Sequence, residues 1–249
     1  MSIDQVIAET YYCEEKHWWF IGLRSLLLYY ISRISDNRNF KILDAGCGTG
    51  KNIEVIKSLG YEIYGIDRSH EAIKFCKLRG ISNVKIGDVI NIPFEDDYFD
   101  ILFSFDVLIC LEKDELKKAI NEFIRVTKKG GFILLNLAAF PFLWSQHDDA
   151  WGTKKRFVKR DIYELFKDYN MKYIKISYRI FVLFLPIVLA KFFKKIKGKL
   201  KKDITSDLYM PPKFLNYIFT KIQLFENKLI KRISFPFGTS LFVVIQNLK

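Results

Sequence analysis

The chain of 249 residues is poor in cysteine, proline and histidine. Its cysteines lie far apart and form no Cys-x-x-Cys pair, which argues against both a disulfide framework and a zinc site. They are Cys13, Cys47, Cys76 and Cys110. Free cysteines are typical of a reducing compartment, and we expect no bound metal. The six prolines and 13 glycines form no low-complexity tract, and we find no internal repeat.

We expect no secretory signal, because the first residues include acids where a signal peptide has a basic and then an apolar region. The apolar run Ile180–Ala190 has eleven residues, about half of what a membrane-spanning helix needs, and Pro186 interrupts it. We therefore expect a cytoplasmic protein.

Positive charge is abundant, and the formal net charge is +12. The lysines are spread over most of the chain, so this total alone does not indicate a polyanionic partner. The stretch Lys191–Lys202, however, holds seven lysines and no acid directly after the apolar run. An apolar segment beside a basic one is typical of peripheral binding to anionic lipid, here through residues 180–202 at the inner membrane surface. The alternative is a lid helix buried on the sheet with solvated lysines beyond it.

From residue 40 onward, strand and helix patterns alternate, which predicts a parallel sheet with crossover helices. Strands are expected at 40–46, 61–67, 83–88, 99–106, 131–140, 173–178 and 240–248. Ser69 and Asp114 are suitable N-caps for two of the helices. Helical patterns cover the start of the chain, and about 55 aromatic and basic residues separate the last two strands, which is too long for a loop.

This pattern predicts three parts. A helical cap covers residues 1–35, a ligand-binding core covers 36–178 and 236–249, and a helical insertion covers 179–235. Half of all residues are hydrophobic, which is enough for a sizeable core.

The stretch "LDAGCGTG", Leu43–Gly50, places three glycines between a strand and a helix. Missing Cβ atoms let the backbone approach a ligand, and a helix N-terminus offers free N–H groups. The dinucleotide fingerprint needs a small residue where this chain has Lys51, and no Gly-Lys-Ser/Thr of a P-loop follows. The pattern therefore fits a pyrophosphate poorly.

Three acids lie at or near the ends of the first three predicted strands. Asp67, at the end of the second strand, could accept hydrogen bonds from both hydroxyls of a ribose, and Asp88 would lie close to an adenine edge. Asp44, at the mouth of the glycine-rich loop, could face a cationic amine. Three acids around one site would suit a nucleoside that carries positive charge and no phosphate.

"LDAGCGTG", Asp67, "GDVINIPF" and "FDILFSFDVL", followed by a helix and "KKGG", together resemble class I S-adenosylmethionine-dependent methyltransferases of the type 11 kind over about residues 40–138. The resemblance implies an α/β, Rossmann-like sheet of seven strands with one antiparallel strand, flanked by helices, and S-adenosyl-L-methionine as the cofactor. The implied cofactor-binding residues are Asp44, Gly46, Cys47, Gly48, Gly50, Asp67, Asp88, Val89 and Asp106. Many relatives have Glu-His where this chain has Ile109 and Cys110, so neither an acid nor an imidazole is expected there.

A segment directly after the fifth strand could act on the acceptor. His147 is expected at the carboxyl edge of the sheet, where open α/β proteins bind ligands, and is the candidate general base. The neighbouring Asp148 would orient or pair with a substrate group, Arg156 would bind an anion, and Trp144 would contact the acceptor. The alternative is a lid that is stabilised by polar pairing.

The N-terminal "HWWF" and the segment 144–157 resemble a methyltransferase subgroup that is associated with cell-surface glycan pathways. Such relatives tend to have Gly-His-x-Arg-Arg-Tyr where this chain has "GTKKRF". His17, Trp18 and Trp19 would contact the substrate and form a cap over the cofactor, with an aromatic face near the sulfonium. The alternative is an aromatic helix packed into the core.

We therefore expect a transferase that moves a methyl group from S-adenosylmethionine to a small-molecule, glycan or lipid-linked acceptor by direct displacement. Two alternatives remain open, a NAD(P)-dependent Rossmann oxidoreductase and a non-catalytic module that binds membrane or nucleic acid. Methylation of nucleic acid is not expected, because base-amine methyltransferases place an Asp/Asn-Pro-Pro-aromatic turn where this chain has "SFDVL".

Overall fold

The computed structural model describes residues 3–34, 39–197 and 210–249. Within these ranges the strands are β1 (Lys41–Ala45), β2 (Glu62–Asp67), β3 (Val84–Ile86), β4 (Phe99–Phe105), β5 (Thr127–Ala138), β6 (Met171–Arg179) and β7 (Ser240–Asn247). They form one seven-stranded sheet in the order β3-β2-β1-β4-β5-β7-β6. β7 runs antiparallel to both of its neighbours, whereas the remaining pairs are parallel. The predicted Rossmann-like mixed sheet is confirmed.

Helices connect the strands and cover the sheet. They are α1 (Ile3–Cys13), α2 (Trp18–Ile34), α3 (Lys51–Ser58), α4 (His70–Leu78), α5 (Lys113–Val126), α6 (Gln146–Ala150), α7 (Lys159–Leu165), α8 (Phe184–Lys197) and α9 (Lys213–Ile230). Short 3₁₀ turns lie at Leu108–Cys110 and Pro141–Leu143.

The two predicted helix caps have different outcomes. Ser69 caps α4, because its Oγ accepts the N–H of Ala72 at 3.2 Å. The predicted Asp114 cap is wrong, because Asp114 already lies in the first turn of α5. Glu112 occupies the cap position instead, and its N–H donates to the carboxylate of Glu115 at 2.8 Å.

The central strands of the sheet are buried on both faces, as is typical of strands between two layers of helices. Successive residues of β1 show the cause, since alternate side chains of a strand point to opposite faces. Ile42 packs into the layer that contains Leu26 of α2, whereas Leu43 packs into the opposite layer with Phe123 of α5. The carboxyl ends of the strands are therefore fixed by two hydrophobic layers.

The N-terminal helices and the insertion are in direct contact. The Asn227 side chain of α9 donates to the carbonyl of Gly22 in α2 at 2.7 Å, and a Cβ at Gly22 would lie 3.0 Å from Gln223. Asn216 accepts the Trp18 N–H at 3.0 Å with its side-chain oxygen. The predicted cap and insertion thus meet in one layer over the sheet, and the predicted boundary at residues 35 and 36 lies outside the described residues.

The apolar run Ile180–Ala190 forms the loop between β6 and α8 and the first half of α8. Only one side of it is covered, because Leu185 and Leu189 expose 63% and 47% of their surface. Residues 198–202 of the lysine-rich stretch lie outside the described residues. No helix of the described ranges is both long enough and apolar enough to cross a membrane.

Candidate functional site

A cavity of about 550 Å³ lies over the carboxyl ends of β1, β2, β4 and β5, between the N-terminal helices and α8. Most of the predicted site residues line it. They are His17, Trp18, Trp19, Asp44, Gly46, Cys47, Gly48, Asp67, Asp88, Val89, Asp106, His147, Asp148 and Arg156. The structure thus brings together residues from both ends of the chain at the edge where open α/β sheets bind ligands.

Two predicted residues do not line the cavity. Gly50 is the N-cap of α3. A Cβ there would lie 2.7 Å from Ile81 and 2.8 Å from the sulfur of Cys76, so packing against α4 and the residues after it requires glycine. Trp144 points to solvent, and its indole N–H donates to the Asp149 carboxylate at 3.0 Å.

The loop after β1 turns through left-handed backbone. Gly46 has φ +91°, and a Cβ there would lie 2.1 Å from the side chain of Val107. The N–H groups of Gly46 and Cys47 both donate to the carbonyl of Ile66, which ties the loop to β2. Gly48 has φ +52°, and a Cβ there would meet no atom within 4 Å. The loop backbone is therefore closely packed against Val107 at Gly46, whereas at Gly48 there is open space next to it.

Asp67 fixes the far side of this loop. Its carboxylate accepts the Gly48 N–H at 2.9 Å and the Ser69 N–H at 2.8 Å, one with each oxygen. Burial raises the pKa of Asp67, and the two hydrogen bonds oppose that rise. Each oxygen keeps a second lone pair, so the carboxylate can still accept hydrogen bonds from a ligand.

Asp44 is almost completely buried in the wall of the cavity. Its Oδ2 has no hydrogen-bond partner among the described residues. Burial and the nearby negative groups, including Asp67 and Glu14, raise the pKa of Asp44 well above its usual range. A ligand that brings a donor or a positive charge would satisfy this oxygen.

No sequence motif predicts the contacts that bring the N-terminal helices onto the glycine-rich loop. The Glu14 carboxylate accepts from the hydroxyl of Thr49 and from Arg79 Nη2, the latter at 2.8 Å. Arg79 Nε donates to the carbonyl of Thr49 at 3.0 Å, and Arg24 donates to the carbonyl of Glu14 at 3.0 Å. These side chains are far apart in the sequence and meet only in the fold.

Within the N-terminal cap, His17 Nδ1 accepts the N–H of Trp19 at 3.3 Å. The ring of Trp18 lies edge-on against Phe219 of α9, with centroids 5.6 Å apart. These aromatic side chains therefore both pack and line the cavity, so the two alternatives for the "HWWF" segment are compatible.

Asp106 follows β4 in a left-handed conformation with φ +55°. Its carboxylate accepts from Asn136 Nδ2 at 2.9 Å, and the Asn136 oxygen accepts from Arg179 at 3.0 Å. Burial raises the pKa of Asp106 to about 7. Asn136 and Arg179 were not predicted, since neither belongs to a motif.

Asp148 and Arg156 form a buried ion pair. Arg156 Nε and Nη2 donate to the two oxygens of Asp148 at 2.8 and 2.9 Å, and Arg156 Nη1 donates to the carbonyl of Ala139 at 2.8 Å. The Ser145 N–H also donates to Asp148, at 2.8 Å. The pair anchors the short helix α6, which carries His147.

His147 lines the cavity, and its ring centroid lies 6.0 Å from that of Trp151. Lys191 of α8 also lines the cavity, and its ammonium donates to the carbonyl of Leu143 at 2.8 Å and to the hydroxyl of Ser145 at 3.0 Å. The helix α8 is thereby tied to the segment that precedes His147.

Comparison with known proteins gives a family match. Residues 43–135 match the family model described as a methyltransferase domain. The tRNA (carboxymethyluridine(34)-5-O)-methyltransferase of Arabidopsis thaliana is 40% identical over 99 residues, which are 39% of this chain and 24% of that protein. A malonyl-[acyl-carrier protein] O-methyltransferase of Yersinia pestis is 34% identical over 102 residues, 40% of this chain and 37% of that protein. The chain thus spans well under half the length of these relatives.

Two solved structures share the fold. A chain of the complex between the Haloferax volcanii Trm112 methyltransferase activator and a methyltransferase superposes with a TM-score of 0.63 at 17% identity, covering 100% of this chain and 96% of that one. A SAM-dependent methyltransferase from Archaeoglobus fulgidus superposes with a TM-score of 0.58 at 18% identity, covering 90% and 93%. Residues 43–135 of this chain thus match a methyltransferase domain, and the described residues share the fold of an S-adenosylmethionine-dependent methyltransferase of known structure.

Proposed function

We propose that the chain transfers a methyl group from S-adenosylmethionine to a small-molecule, glycan or lipid-linked acceptor by direct displacement. The observation that carries this proposal is the arrangement at the end of β1. One end of the cavity is lined there by Asp44, one oxygen of which has no hydrogen-bond partner among the described residues, by the open backbone at Gly48 and by the fixed carboxylate of Asp67.

These residues fit the cofactor in a definite orientation. The carboxylate of Asp67 would accept hydrogen bonds from the ribose hydroxyls, and Asp88 with Val89 would contact the adenine. Asp44 and Asp106 would face the cationic end of the methionine moiety. The Cys47 thiol would be a packing group, because its hydrogen bond with Cys76, together with burial, raises its pKa well above the usual range.

The bound cofactor supplies a methyl group on a positively charged sulfur, which is a good leaving group. The chain's own residues therefore need to align the acceptor and exclude water. Trp18 and Trp19 cover the cavity from the N-terminal side, and α8 borders it from the other. Where the acceptor is a hydroxyl, His147 would take its proton.

For Asp148 and Arg156 we propose a positioning role in place of the substrate contacts that the sequence suggested. Each charged group already has its partner in the other, and the three nitrogens of Arg156 all donate within the protein. A substrate anion would have to compete with this pair. We therefore assign Asp148 and Arg156 to the positioning of α6, and hence of His147.

The relatives differ in what their names say they methylate, namely tRNA, malonyl-[acyl-carrier protein] and, at 32% identity in Rauvolfia serpentina, norajmaline. For this chain we favour a small or lipid-linked acceptor, because the acceptor end of the cavity is lined by apolar side chains such as Ile109, Leu143 and Ile187. A dinucleotide is disfavoured, because Lys51 occupies the position where the dinucleotide fingerprint needs a small residue. Its ammonium is held in an ion pair with Glu54 at 2.8 Å.

We also propose that α8 docks on an anionic membrane surface and so gives the cavity access to a lipid-linked acceptor. Leu185 and Leu189 expose apolar surface beside Phe237, whose ring lies 5.1 Å from that of Phe184. The lysine-rich stretch that begins at Lys191 supplies charge of the sign that anionic lipid attracts. The opposite side of the same helix borders the cavity through Ile187.

Gly46→Ala should weaken binding of S-adenosylhomocysteine by roughly 10- to 100-fold, about 1.4 to 2.7 kcal/mol. The added Cβ would collide with Val107 and force the loop out of its left-handed conformation. Gly130→Ala is the matched control, because Gly130 has φ +80° but a Cβ there meets nothing within 4 Å. Calorimetric titration measures both, and equal affinities for the two variants would contradict the assigned loop.

His147→Ala should lower methyl transfer by about 100-fold or more while cofactor binding stays nearly unchanged, as for the loss of a general base. The readout is the transfer of isotope-labelled methyl groups from S-adenosylmethionine into the small molecules of a cell extract. His70→Ala serves as the control, because His70 is exposed at the start of α4. Unchanged turnover in His147→Ala would remove His147 from the mechanism.

Flotation with liposomes tests the membrane proposal. The protein should float with vesicles that contain phosphatidylglycerol and stay in solution with pure phosphatidylcholine. The double variant Leu185→Glu, Leu189→Glu should lose flotation, whereas Leu78→Glu should keep it, because Leu78 is equally exposed (66%) but lies on α4. Failure to float with either vesicle would refute the proposal.

A further inference from the structure

Arg179, the last residue of β6, is completely buried, yet most of its guanidinium is not hydrogen-bonded. Its Nη1 donates to the side-chain oxygen of Asn136 at 3.0 Å. Its Nε and Nη2 have no hydrogen-bond partner among the described residues. Buried polar groups in folded proteins are nearly always hydrogen-bonded, so these two donors call for an explanation.

The nearest carboxylates do not satisfy these donors. Both oxygens of Glu226 accept backbone N–H groups, from Ile180 at 2.5 Å and from Val182 at 3.1 Å. Asp106 accepts from Asn136 and reaches Arg179 only through that residue. Burial lowers the pKa of Arg179 to about 10, while the charges of Glu226 and Asp106 oppose the decrease, so the guanidinium stays charged at neutral pH.

The guanidinium lies directly behind the cavity wall. Its central carbon is 5.8 Å from the centroid of the Trp19 ring, and Trp19, Asp106 and Ile180 all line the cavity. Ile180 is held at φ +61°, a conformation that a β-branched residue rarely adopts, and the hydrogen bond to Glu226 keeps it there. The backbone of the cavity wall beside Arg179 is therefore strained at Ile180.

The two free donors lie on the same edge of the guanidinium. In this chain, Arg156 uses that edge, Nε together with Nη2, to hold both oxygens of Asp148. Such side-on pairing is the geometry in which arginine binds a carboxylate with two parallel hydrogen bonds. In Arg179 the same edge has no carboxylate partner within the part of the chain that the structure describes.

We propose that Arg179 binds a carboxylate through this edge, and we assign that carboxylate to the methyl acceptor. The assignment rests on the proposed methyltransferase function. It follows from the order of the strands: Arg179 belongs to β6, whereas the residues proposed to hold the cofactor follow β1, β2, β3 and β4. The other source of the same chemical group is the α-carboxylate of the cofactor, whose cationic end would lie near Asp106.

The acceptor is therefore an acidic molecule that Arg179 anchors at one end. A carboxylate held by both donors loses nucleophilicity, so the atom that receives the methyl group lies elsewhere in the acceptor. The apolar walls on this side of the cavity suit an acceptor with an apolar body and an acidic group.

The test uses the full chain saturated with S-adenosylhomocysteine, titrated with straight-chain carboxylates from acetate to decanoate and with their methyl esters. The wild type should bind at least one acid ten or more times more tightly than its ester. Arg179→Met should abolish this preference, and Arg179→Lys, which keeps the charge but not the edge, should reduce it. Arg160→Met should keep it, because Arg160 is exposed on α7.

A wild-type protein that binds none of these acids, or binds acids and esters equally, would overturn the proposal. Should Arg179→Met fail to fold, Arg179→Lys alone decides, and an unchanged preference in that variant would also overturn it.

A second arm separates the two sources of the carboxylate. It compares S-adenosylhomocysteine with 5′-methylthioadenosine, which lacks the amino acid end. Loss of affinity in Arg179→Met for the first compound alone would keep Arg179 as a carboxylate-binding residue but move the carboxylate to the cofactor. Equal loss for both compounds would show a structural role and overturn the proposal. If the wild type binds neither compound, the proposed methyltransferase function itself fails.

Discussion

The carboxylate of Asp67 holds the glycine-rich loop by its Gly48 N–H, and its other oxygen holds the start of α4 through Ser69. One side chain thereby joins the ends of β1 and β2. The backbone can adopt this turn because Gly46 and Gly48 take left-handed conformations, which are accessible to glycine at little cost in free energy. The position of the cavity, and the exposure of bare backbone towards it, follow from this turn.

The buried charged side chains around the cavity differ in whether their polar atoms have hydrogen-bond partners. Asp148 and Arg156 form two hydrogen bonds with each other and hold α6 in place. Asp44 and Arg179, by contrast, keep polar atoms without hydrogen-bond partners among the described residues. A cationic cofactor at one and an acidic acceptor at the other would account for both, and would place the reacting groups between them.

The sequence predicted the parts of this site that local chain geometry determines. The glycines, Asp44, Asp67 and the cap at Ser69 depend on neighbours within a few residues or on the ends of adjacent strands. Contacts between distant segments left no pattern. Glu14 meets Arg79 and Asn136 meets Arg179 only after the helices and strands have packed, and the side-on pairing of Arg156 with Asp148 was likewise not predicted.

The central claim is that the cavity binds S-adenosylmethionine. Isothermal titration of the full chain with S-adenosylmethionine, and separately with NAD⁺, tests it most directly. The structure predicts saturable heat at one equivalent of S-adenosylmethionine and none with NAD⁺. Absence of heat with S-adenosylmethionine, or saturable binding of NAD⁺ in its place, would contradict the account.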